Sequence, residues 1–452
     1  MNNIQIQDFL ENDYSNSALY NCYRAIGSYI DGLKPSARKV VYTIRDKNIT
    51  SDDKVSRLAS LVSQHTEYLH GETSLQGVIV NMAQDFVGTN NIPVLSPNGN
   101  FGSRHIPTPS ASRYIFTKKG KDFDFLFMKE DDSILTFQEF EGKQIEPKFL
   151  MPILPLILIN GSEGMGTGYA QKIFPRNPKE VSEAIKELEK EGKTKKKLKP
   201  FYRGFRGKVI QGENSNQWEF HGLLTINNTS SITITELPIT YTLTSYIKIL
   251  NKLQEDGVIK SYEDLSENDE FLFKLKVPRT FTQLDLGKIK EKLKLIKRAS
   301  ENYTCIDENN SIREFETVEE ILKAYMEIRL DFYSSRKRYI IDQLTSEIDL
   351  LLSIQLFITD IIKGHIKINN KKKVEIVSQI KLQNQYSIKK ILEKENSFDY
   401  LLKMPLYSLT EEKVLDLKKR IKEKEKEKNY LSKETSESLW KIDVEKYFGA
   451  KR

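Results

Sequence analysis

A tyrosine directly preceded by an arginine is a residue pair whose chemistry suits attack on a phosphate. One such pair is Arg113-Tyr114, inside the segment SASRYIFT that begins at Ser110. A tyrosine hydroxyl has an ordinary pKa near ~10, so it is a weak nucleophile unless nearby positive charge stabilises the phenolate. An adjacent arginine can supply that charge and can hold a phosphate oxygen in the transition state. An isolated Arg-Tyr dipeptide is far more often an ordinary surface or core tyrosine, so the surrounding segments have to decide.

The surrounding segments resemble, in the same order, the motifs of the DNA-cleaving subunit of type IIA DNA topoisomerases. They are DGLKP from Asp31, YLHGE from Tyr68, DFVGTNNI from Asp85, GNFGSR from Gly99, NGSEGMGTGY from Asn160, FYRGFRG from Phe201, ITELP from Ile234 and YLLKMP from Tyr400. SASRYIFT itself is similar to the family's active-site tyrosine motif. The match runs from about Arg24 to Trp440, and the motif sequences are closer to those of the eukaryotic enzymes and the T-even phage medium subunit than to those of gyrase A.

The resemblance implies a catalytic role for four residues. Tyr114 would attack a DNA phosphodiester, leaving a 5′-phosphotyrosyl bond and a free 3′-hydroxyl, and Arg113 would stabilise charge on the scissile phosphate. Arg24 stands where the family keeps another active-site arginine, before the DGLKP segment. His70 matches a histidine near the scissile phosphate, although without the resemblance a structural histidine is the ordinary interpretation.

Four further residues are candidates for DNA binding. Pro35 is placed at an early position of a helix, and Lys34, Arg38 and Lys39 at this helix entry are expected to grip backbone phosphates. The alternative is a solvated basic face. Met165 replaces the isoleucine that the family inserts between base pairs, and a methionine can act as such a wedge. A core methionine is the alternative, which the flanking glycines make less favoured than an exposed loop.

Neither a P-loop nor the EGDSA and DxD motifs of a Toprim domain occurs in a matching context. The resemblance therefore implies that Mg²⁺ and ATP both bind to a partner subunit with ATPase and Toprim domains, and that this chain alone holds no metal. The acidic pairs Asp131-Asp132 and Glu411-Glu412 are interpreted as solvated surface. The short segment after Trp440 leaves no room for the DNA-wrapping domain of gyrase A, so relaxation and decatenation are expected rather than supercoiling.

Composition sets wide limits on function. The 452 residues suggest two to four domains. A net charge of +7 permits a nucleic-acid partner without requiring one. The start of the chain lacks the pattern of a secretory signal, and the longest apolar stretch, 149–159, is too short to span a bilayer. Cys22 and Cys305 suggest neither a disulfide framework nor a metal site, which fits a reducing cytoplasm. The resemblance implies that this is the cytoplasm of a bacterium or of a phage-infected host.

The patterning predicts an α+β fold in three parts. The resemblance implies that residues 1–148 form a winged-helix domain with the active-site tyrosine, 149–317 a strand-rich tower domain, and 318–452 a coiled-coil arm with a small dimerising gate. Strands are predicted for Gln217 to Ile226 and for the alternating run from Ser230, which Pro238 ends. In the arm, apolar residues recur every three or four positions, as a coiled-coil seam requires. They are Ile340, Leu344, Ile348, Leu351, Ile354, Ile358 and Ile361.

The end of the arm helix is predicted at Gly364. A second long helix is predicted from Val414 to near Leu431, which suggests an antiparallel hairpin with a globular tip. A single long helix bundle is the alternative, but Met404-Pro405 interrupts the pattern.

Two classes of function remain in view. The first is a breakage-reunion subunit that binds double-stranded DNA, forms homodimers through the winged-helix domain and the gate, and is active only with its ATPase and Toprim partner. The rival is a winged-helix DNA-binding protein that is not an enzyme. The rival explains the excess of basic over acidic residues. It explains neither the ordered series of motifs around Arg113-Tyr114 nor the long arm.

Overall fold

The structure is a computed structural model, and it describes residues 6–382 and 398–450. Two compact units can be distinguished. The first comprises Met1–Arg329 and Asp443–Arg452, and the second Leu330–Ile442. Helices and antiparallel strands are mixed through the first unit, so the predicted α+β class is confirmed. The predicted limits at 148 and 317 stay a prediction.

The amino-terminal part of the first unit is a set of helices around a small antiparallel sheet. Its elements are α1 (Ile6–Asp8), a π-helical segment (Phe9–Tyr14), α2 (Ser15–Ala25), α3 (Pro35–Asp46), β1 (Asp53–Lys54), α4 (Val55–His65), α5 (Glu72–Ala83), β2 (Leu95–Asn98), β3 (Phe116–Lys119), α6 (Phe123–Leu126), a 3-10 segment (Lys129–Ile134), β4 (Phe137–Phe140) and β5 (Lys143–Pro147). The sheet has the order β1-β3-β2, and β4 pairs with β5. Helix α3 begins at Pro35 as predicted, because proline fixes the backbone angle of a first helical residue and its missing N–H is not needed there. Val40, Val41 and Ile44 of α3 are fully buried in the core.

The middle of the first unit is rich in strands. Its elements are α7 (Leu156–Asn160), β6 (Ser162–Met165), β7 (Ala170–Ile173), α8 (Pro178–Glu191), β8 (Lys208–Gln211), β9 (Gln217–His221), β10 (Leu223–Asn228), β11 (Ser231–Glu236), α9 (Leu243–Glu255), β12 (Ser261–Asp264), β13 (Phe273–Lys276), α10 (Leu286–Lys292), β14 (Ile296–Ser300), β15 (Asn302–Ile306) and β16 (Ile312–Glu314). Three antiparallel sheets have the orders β10-β11-β13-β12, β14-β9-β8 and β16-β15-β7-β6. Helices α9 and α10 cover the first of these, and Ile232, Tyr246, Phe273 and Ile289 share its core.

One strand prediction needs correction and another is confirmed. The run from Gln217 forms two strands instead of one, with Gly222 between them. A Cβ at Gly222 would lie 2.5 Å from the carbonyl oxygen of Glu236, so the chain needs a glycine where it turns beside β11. The alternating run after Ser230 is strand β11, and it ends before Pro238.

The acidic pair in the 3-10 segment is not solvated as predicted. Asp131 is buried, and Arg329 donates to its Oδ2 at 2.8 Å. Asp132 pairs closely with Arg45. A buried carboxylate is tolerated only with such a partner. Glu411 and Glu412 are exposed, which confirms the prediction for the second pair.

The second unit contains two long antiparallel helices. The remaining elements of the chain are α11 (Val318–Ile362), α12 (Lys373–Leu382), α13 (Asp399–Leu402), a 3-10 segment (Leu406–Ser408), α14 (Glu411–Lys433) and α15 (Ser436–Gly449). Lys337 of α11 donates to the carbonyl oxygen of Ser432, whereas Ile358 packs with Leu417. The pairing therefore runs in opposite directions, and the predicted hairpin is confirmed.

The predicted seam forms the core of that hairpin. Leu344, Ile348, Leu351 and Ile358 are all buried. Helix α11 ends two residues before Gly364, which has a positive φ of 75°. A small apolar cluster that includes Phe357, Ile366, Ile380, Phe398 and Leu401 follows. The predicted dimerising gate falls partly on 383–397, outside the described residues.

The described residues contain neither a membrane-spanning helix nor a cluster of metal ligands. No helix among residues 6–382 and 398–450 combines the length and apolar character needed to cross a bilayer. Within the same ranges, no three His, Cys, Asp or Glu side chains are grouped closely enough to hold a metal ion.

Candidate active site and DNA interface

Tyr114 lies at the end of a loop whose main chain is fixed on both sides. The Tyr114 N–H donates to the carbonyl oxygen of Ala111 at 2.9 Å. At the start of α4, the Val55 N–H donates to Ile115 and the Ser56 N–H donates to Ser112. Ile115 is buried, and β3 begins at the next residue. The loop therefore cannot shift easily, whereas the Tyr114 side chain itself is 69% exposed.

The segment that begins at Gly99 forms a main-chain hydrogen bond with the start of this loop. The Ser110 N–H donates to the carbonyl oxygen of Asn100 at 2.9 Å. Gly102 has a φ of +88°, and a Cβ there would lie 2.4 Å from the carbonyl oxygen of Pro107. Only glycine accepts both that backbone angle and that close approach. The motif around Gly99 thus serves to fold the tyrosine loop back on itself.

Arg113 and Tyr114 are exposed side by side. The guanidinium carbon of Arg113 lies 5.6 Å from the centre of the Tyr114 ring, within the range of a cation–π contact. Among residues 6–382 and 398–450, no side chain or main-chain group forms a hydrogen bond with the Tyr114 hydroxyl. The pair therefore presents a nucleophile and a positive charge to an incoming phosphate without having to break an internal bond.

Arg24 and His70 meet through a third residue, Tyr20. The Tyr20 hydroxyl lies 3.2 Å from Nε2 of His70, and the guanidinium carbon of Arg24 lies 5.7 Å from the Tyr20 ring centre. The pKa of His70 is lowered from its ordinary value by desolvation and by the positive charges of Arg24 and Lys39. His70 is therefore uncharged at neutral pH and can accept a hydrogen bond. The structure brings these side chains together, but it records no contact between them and Tyr114 within one described chain.

Tyr20 is a site residue that the sequence analysis missed. It stands four residues before Arg24 on α2, so the two side chains share one helix face. That spacing was the available signal. The contact with His70 spans 50 positions and could not be read from the sequence.

Of the basic residues at the start of α3, Lys34 contacts the strand that leads to Met165. Its Nζ donates to the carbonyl oxygen of Glu163 at 2.8 Å, and desolvation lowers its pKa. Lys39 Nζ donates to the carbonyl oxygen of Thr66 and to Oε2 of Glu146. The charge of Lys39 is thus already balanced by a carboxylate, whereas the Lys34 ammonium hydrogen-bonds to a main-chain carbonyl and interacts with the Glu163 carboxylate only through space.

The prediction that Arg38 grips a phosphate is not supported by the structure. Arg38 is 2% exposed and forms a two-point ion pair with Asp31, with Nε to Oδ2 at 2.7 Å and Nη2 to Oδ1 at 3.2 Å. Arg38 also donates to the carbonyl oxygen of Leu33. Asp31 in turn accepts from the N–H of Leu150. The pair therefore holds the turn before α3 in place and does not face solvent.

Met165 occupies the tip of a β-hairpin. It ends β6, pairs with Ala170 at the start of β7, and is 83% exposed. The Gly166 N–H donates to the carbonyl oxygen of Tyr169 at 2.8 Å, which closes the turn. The predicted exposure of Met165 is confirmed, and the core alternative is wrong. An exposed apolar side chain on a rigid tip has the form of a wedge.

The comparisons with known proteins show to which family this chain belongs. The family model that describes the A subunits of DNA gyrase and topoisomerase IV matches residues 24–445. DNA topoisomerase 2 of Penicillium chrysogenum is 33% identical over 98% of this chain and 30% of its own length. DNA topoisomerase 2 of Plasmodium falciparum is 34% identical over 97% of this chain and 34% of its own length.

A solved structure matches as well. It is the DNA-binding, cleavage and re-ligation domain of Plasmodium falciparum topoisomerase II, with a TM-score of 0.87 and 34% identity over 98% of this chain and 64% of that chain. This chain thus spans about a third of the length of the curated relatives it matches. The predicted nearness to the T-even phage subunit stays a prediction. With a family model that covers almost the whole chain and a solved relative of the same fold, this chain belongs to the family formed by the A subunits of DNA gyrase and topoisomerase IV.

Proposed function

We propose that this chain is the DNA breakage-reunion subunit of an ATP-dependent type II topoisomerase. The observation that carries the proposal is the exposed Arg113-Tyr114 pair on a loop whose main chain is fixed. An exposed tyrosine alone is ordinary, but the non-enzymatic alternative does not explain its position beside an exposed arginine on a loop fixed by main-chain hydrogen bonds. The family membership points the same way, since its relatives are named as topoisomerases.

In the proposed reaction the Tyr114 oxygen attacks a phosphorus of the DNA backbone. The phenol proton passes to solvent water, and a phosphotyrosyl bond forms to the 5′ side. The bond from phosphorus to the 3′ oxygen breaks, and that oxygen takes a proton from water to give a 3′-hydroxyl. Arg113 stabilises the additional negative charge on the phosphate, as preorganised cationic donors do. Arg24 contributes a second positive charge, and neutral His70 a hydrogen-bond acceptor. Because the phosphotyrosyl bond keeps the energy of the phosphodiester, resealing needs no nucleotide.

DNA binding is assigned to the face that carries Met165, Lys34 and Lys39. Lys34 is better placed than Lys39 for a phosphate, because its ammonium hydrogen-bonds to a main-chain carbonyl, whereas that of Lys39 already pairs with Glu146. Met165 would enter the base stack and bend the duplex, so that the two strands reach the cleavage residues. Two copies would cut both strands of one duplex, let a second duplex pass, and so relax or decatenate DNA.

The proposed activity also requires partners. We infer that a large subunit with ATPase and Toprim domains binds ATP and Mg²⁺, and that this chain forms a homodimer. Bound Mg²⁺ would add positive charge at the scissile phosphate. The support is the family membership, together with the absence of a P-loop or Toprim motif within these 452 residues. The place of action would be the cytoplasm of a bacterium or of an infected host, where the DNA lies.

The experiment is a covalent adduct assay with the partner subunit, Mg²⁺ and duplex DNA. Wild type should form a denaturant-resistant protein–DNA adduct, and Tyr114→Phe should bind DNA but form none. Tyr430→Phe, at another exposed tyrosine, is the matched control and should behave like wild type. DNA binding without any adduct from wild type would favour the non-enzymatic alternative.

A further inference from the structure

A buried glutamine on the hairpin of Met165 connects that hairpin to the end of α2. Gln171 lies on β7 and is 1% exposed. Its Oε1 accepts from the Gly27 N–H at 2.9 Å and from the Ser162 hydroxyl at 2.6 Å. Its Nε2 donates to the carbonyl oxygens of Gly27 at 3.1 Å and of Thr304 at 2.8 Å. One side chain thus joins β6, β15 and the residues that follow α2.

The hydrogen-bonding capacity of this amide is fully used. A glutamine side chain has two N–H donors and an oxygen with two lone pairs, and all four find partners here. The two bonds to Gly27 are reciprocal, one to its N–H and one from its carbonyl, so they fix the main chain there in two directions. A side chain without both functions, such as glutamate or methionine, would leave buried main-chain groups unpaired.

Close backbone contact adds to this bridge. A Cβ at Gly164 would lie 1.9 Å from the carbonyl oxygen of Ala25, and a Cβ at Gly166 would lie 2.7 Å from Sγ of Cys22. The two glycines flank Met165, and Ala25 directly follows Arg24. The hairpin therefore lies on the last turn of α2 with no space between them.

We infer that Gln171 is a positioning residue that makes the Met165 hairpin and the end of α2 move as one body. Gln171 contacts no DNA itself; it acts through Gly27 and Ser162. When Met165 enters the base stack, Arg24 is carried to the scissile phosphate in the same movement. The inference rests on the proposed function, because Met165 and Arg24 have their roles from it.

The decisive measurement is the coupling between Met165 and Arg24 in adduct formation. Met165→Ala, Arg24→Ala and the double variant are compared in the wild-type and Gln171→Met backgrounds, with the partner subunit and Mg²⁺. In the wild-type background we expect the double variant to deviate from the product of the single effects by about tenfold. In the Gln171→Met background we expect a deviation of about twofold or less, as for independent sites.

Controls separate positioning from loss of stability. Asn91 is also buried, and its amide donates to the carbonyl oxygens of Ile159, Arg176 and Phe201, away from α2. Asn91→Leu should lower the melting temperature and keep the coupling. Ser162→Ala removes one hydrogen-bond donor to Gln171 and should partly reduce the coupling between Met165 and Arg24. This variant tests the role of Gln171 if Gln171→Met does not fold. Unchanged coupling in a folded Gln171→Met would overturn the inference.

A second readout does not require cleavage. Nitroxide labels at Tyr20→Cys and Tyr169→Cys, both exposed positions, report the distance between α2 and the hairpin by electron spin resonance. The two native cysteines are buried, which protects them from the label. A single narrow distance should broaden in Gln171→Met and stay narrow in Asn91→Leu. If wild type forms no Tyr114-dependent adduct but the distance distribution still broadens only in Gln171→Met, the proposed function fails and the positioning role of Gln171 stands. Distance distributions of equal width in all variants would reject that role.

Discussion

Arg104 and Glu236 form a buried ion pair that connects the loop of the candidate nucleophile to strand β11. Nη1 of Arg104 lies 2.5 Å from Oε1 of Glu236, and Nη2 donates to the carbonyl oxygen of Leu237 at 2.8 Å. The main-chain N–H of Arg206 donates to the other carboxylate oxygen of Glu236 at 3.1 Å. The sequence segments GNFGSR, FYRGFRG and ITELP therefore meet at the Glu236 carboxylate. Their common task is to hold the Tyr114 loop on the strand-rich part of the first unit.

Removal of that carboxylate should destabilise the protein strongly. Glu236→Gln leaves the Arg104 guanidinium buried without its counter-charge, and breaking a buried pair in this way costs about 3–5 kcal/mol of unfolding free energy. Arg206→Ala is the matched control, because its side chain is half exposed and 3.7 Å from the same carboxylate. It should cost less than about 1 kcal/mol. Denaturant titrations give both values, and equal losses would contradict the role of the pair.

The sequence predicted those features that depend on local pattern. The start of α3 at Pro35, the seam with Leu344 and Ile358, and the stop at Gly364 each follow from backbone preference or spacing. Exposure of Met165 followed from its flanking glycines. Each of these features is encoded within a few neighbouring residues.

The sequence could not predict which polar groups are already paired. Arg38 stands among basic residues at a helix entry, and nothing in that pattern distinguishes a solvent-facing arginine from one buried against Asp31. Asp131 looked like surface because its partner, Arg329, is 198 positions away. Gln171 was missed because its contact with Gly27 spans 144 positions. Such partners become visible only when the chain is folded.

Arg113 should matter for the rate of cleavage and little for DNA affinity. Its guanidinium is exposed beside Tyr114, where charge on the phosphate develops. Loss of one such contact reduces rates by about 10²–10³. Adduct formation by Arg113→Ala, measured in a single turnover with the partner subunit, should fall by that factor. Arg113→Lys keeps the positive charge without the planar guanidinium, so its rate of adduct formation should lie between those of wild type and Arg113→Ala. A rate for Arg113→Ala within a few-fold of wild type would exclude the assigned role.

Met165 should affect the bending of DNA more than its binding. The side chain is exposed at the tip of a hairpin, and unstacking of a base step costs a few kcal/mol, which an inserted side chain offsets. Met165→Ala should leave the ends of a bound duplex farther apart, as measured by fluorescence energy transfer. Met165→Ile restores a bulky apolar side chain and should restore the bend. Identical end-to-end distances for Met165→Ala and wild type would argue against insertion.

His70 should be uncharged at neutral pH because desolvation and two nearby cations lower its pKa. Desolvation, Arg24 and Lys39 each disfavour the imidazolium, so its pKa in the folded chain lies below the ordinary 6.5. Arg24→Gln removes one of these charges and should move the pKa of His70 back up toward that value. Arg57→Gln changes an arginine that instead pairs with Asp53 and should have no effect.

Carbon-13 labelled histidine allows the titration to be followed by magnetic resonance, with His70→Gln identifying the signal among the 5 histidines. The neutral form of His70, which the proposed reaction uses, is lost as the pH falls through the pKa of His70 in the folded chain. Adduct formation by wild type should therefore decline only below the ordinary histidine pKa of 6.5, and the decline should begin at higher pH in Arg24→Gln, relative to that variant's own plateau. A wild-type signal that titrates above that value, or one that does not respond to Arg24→Gln, would show that these cations do not set the state of His70.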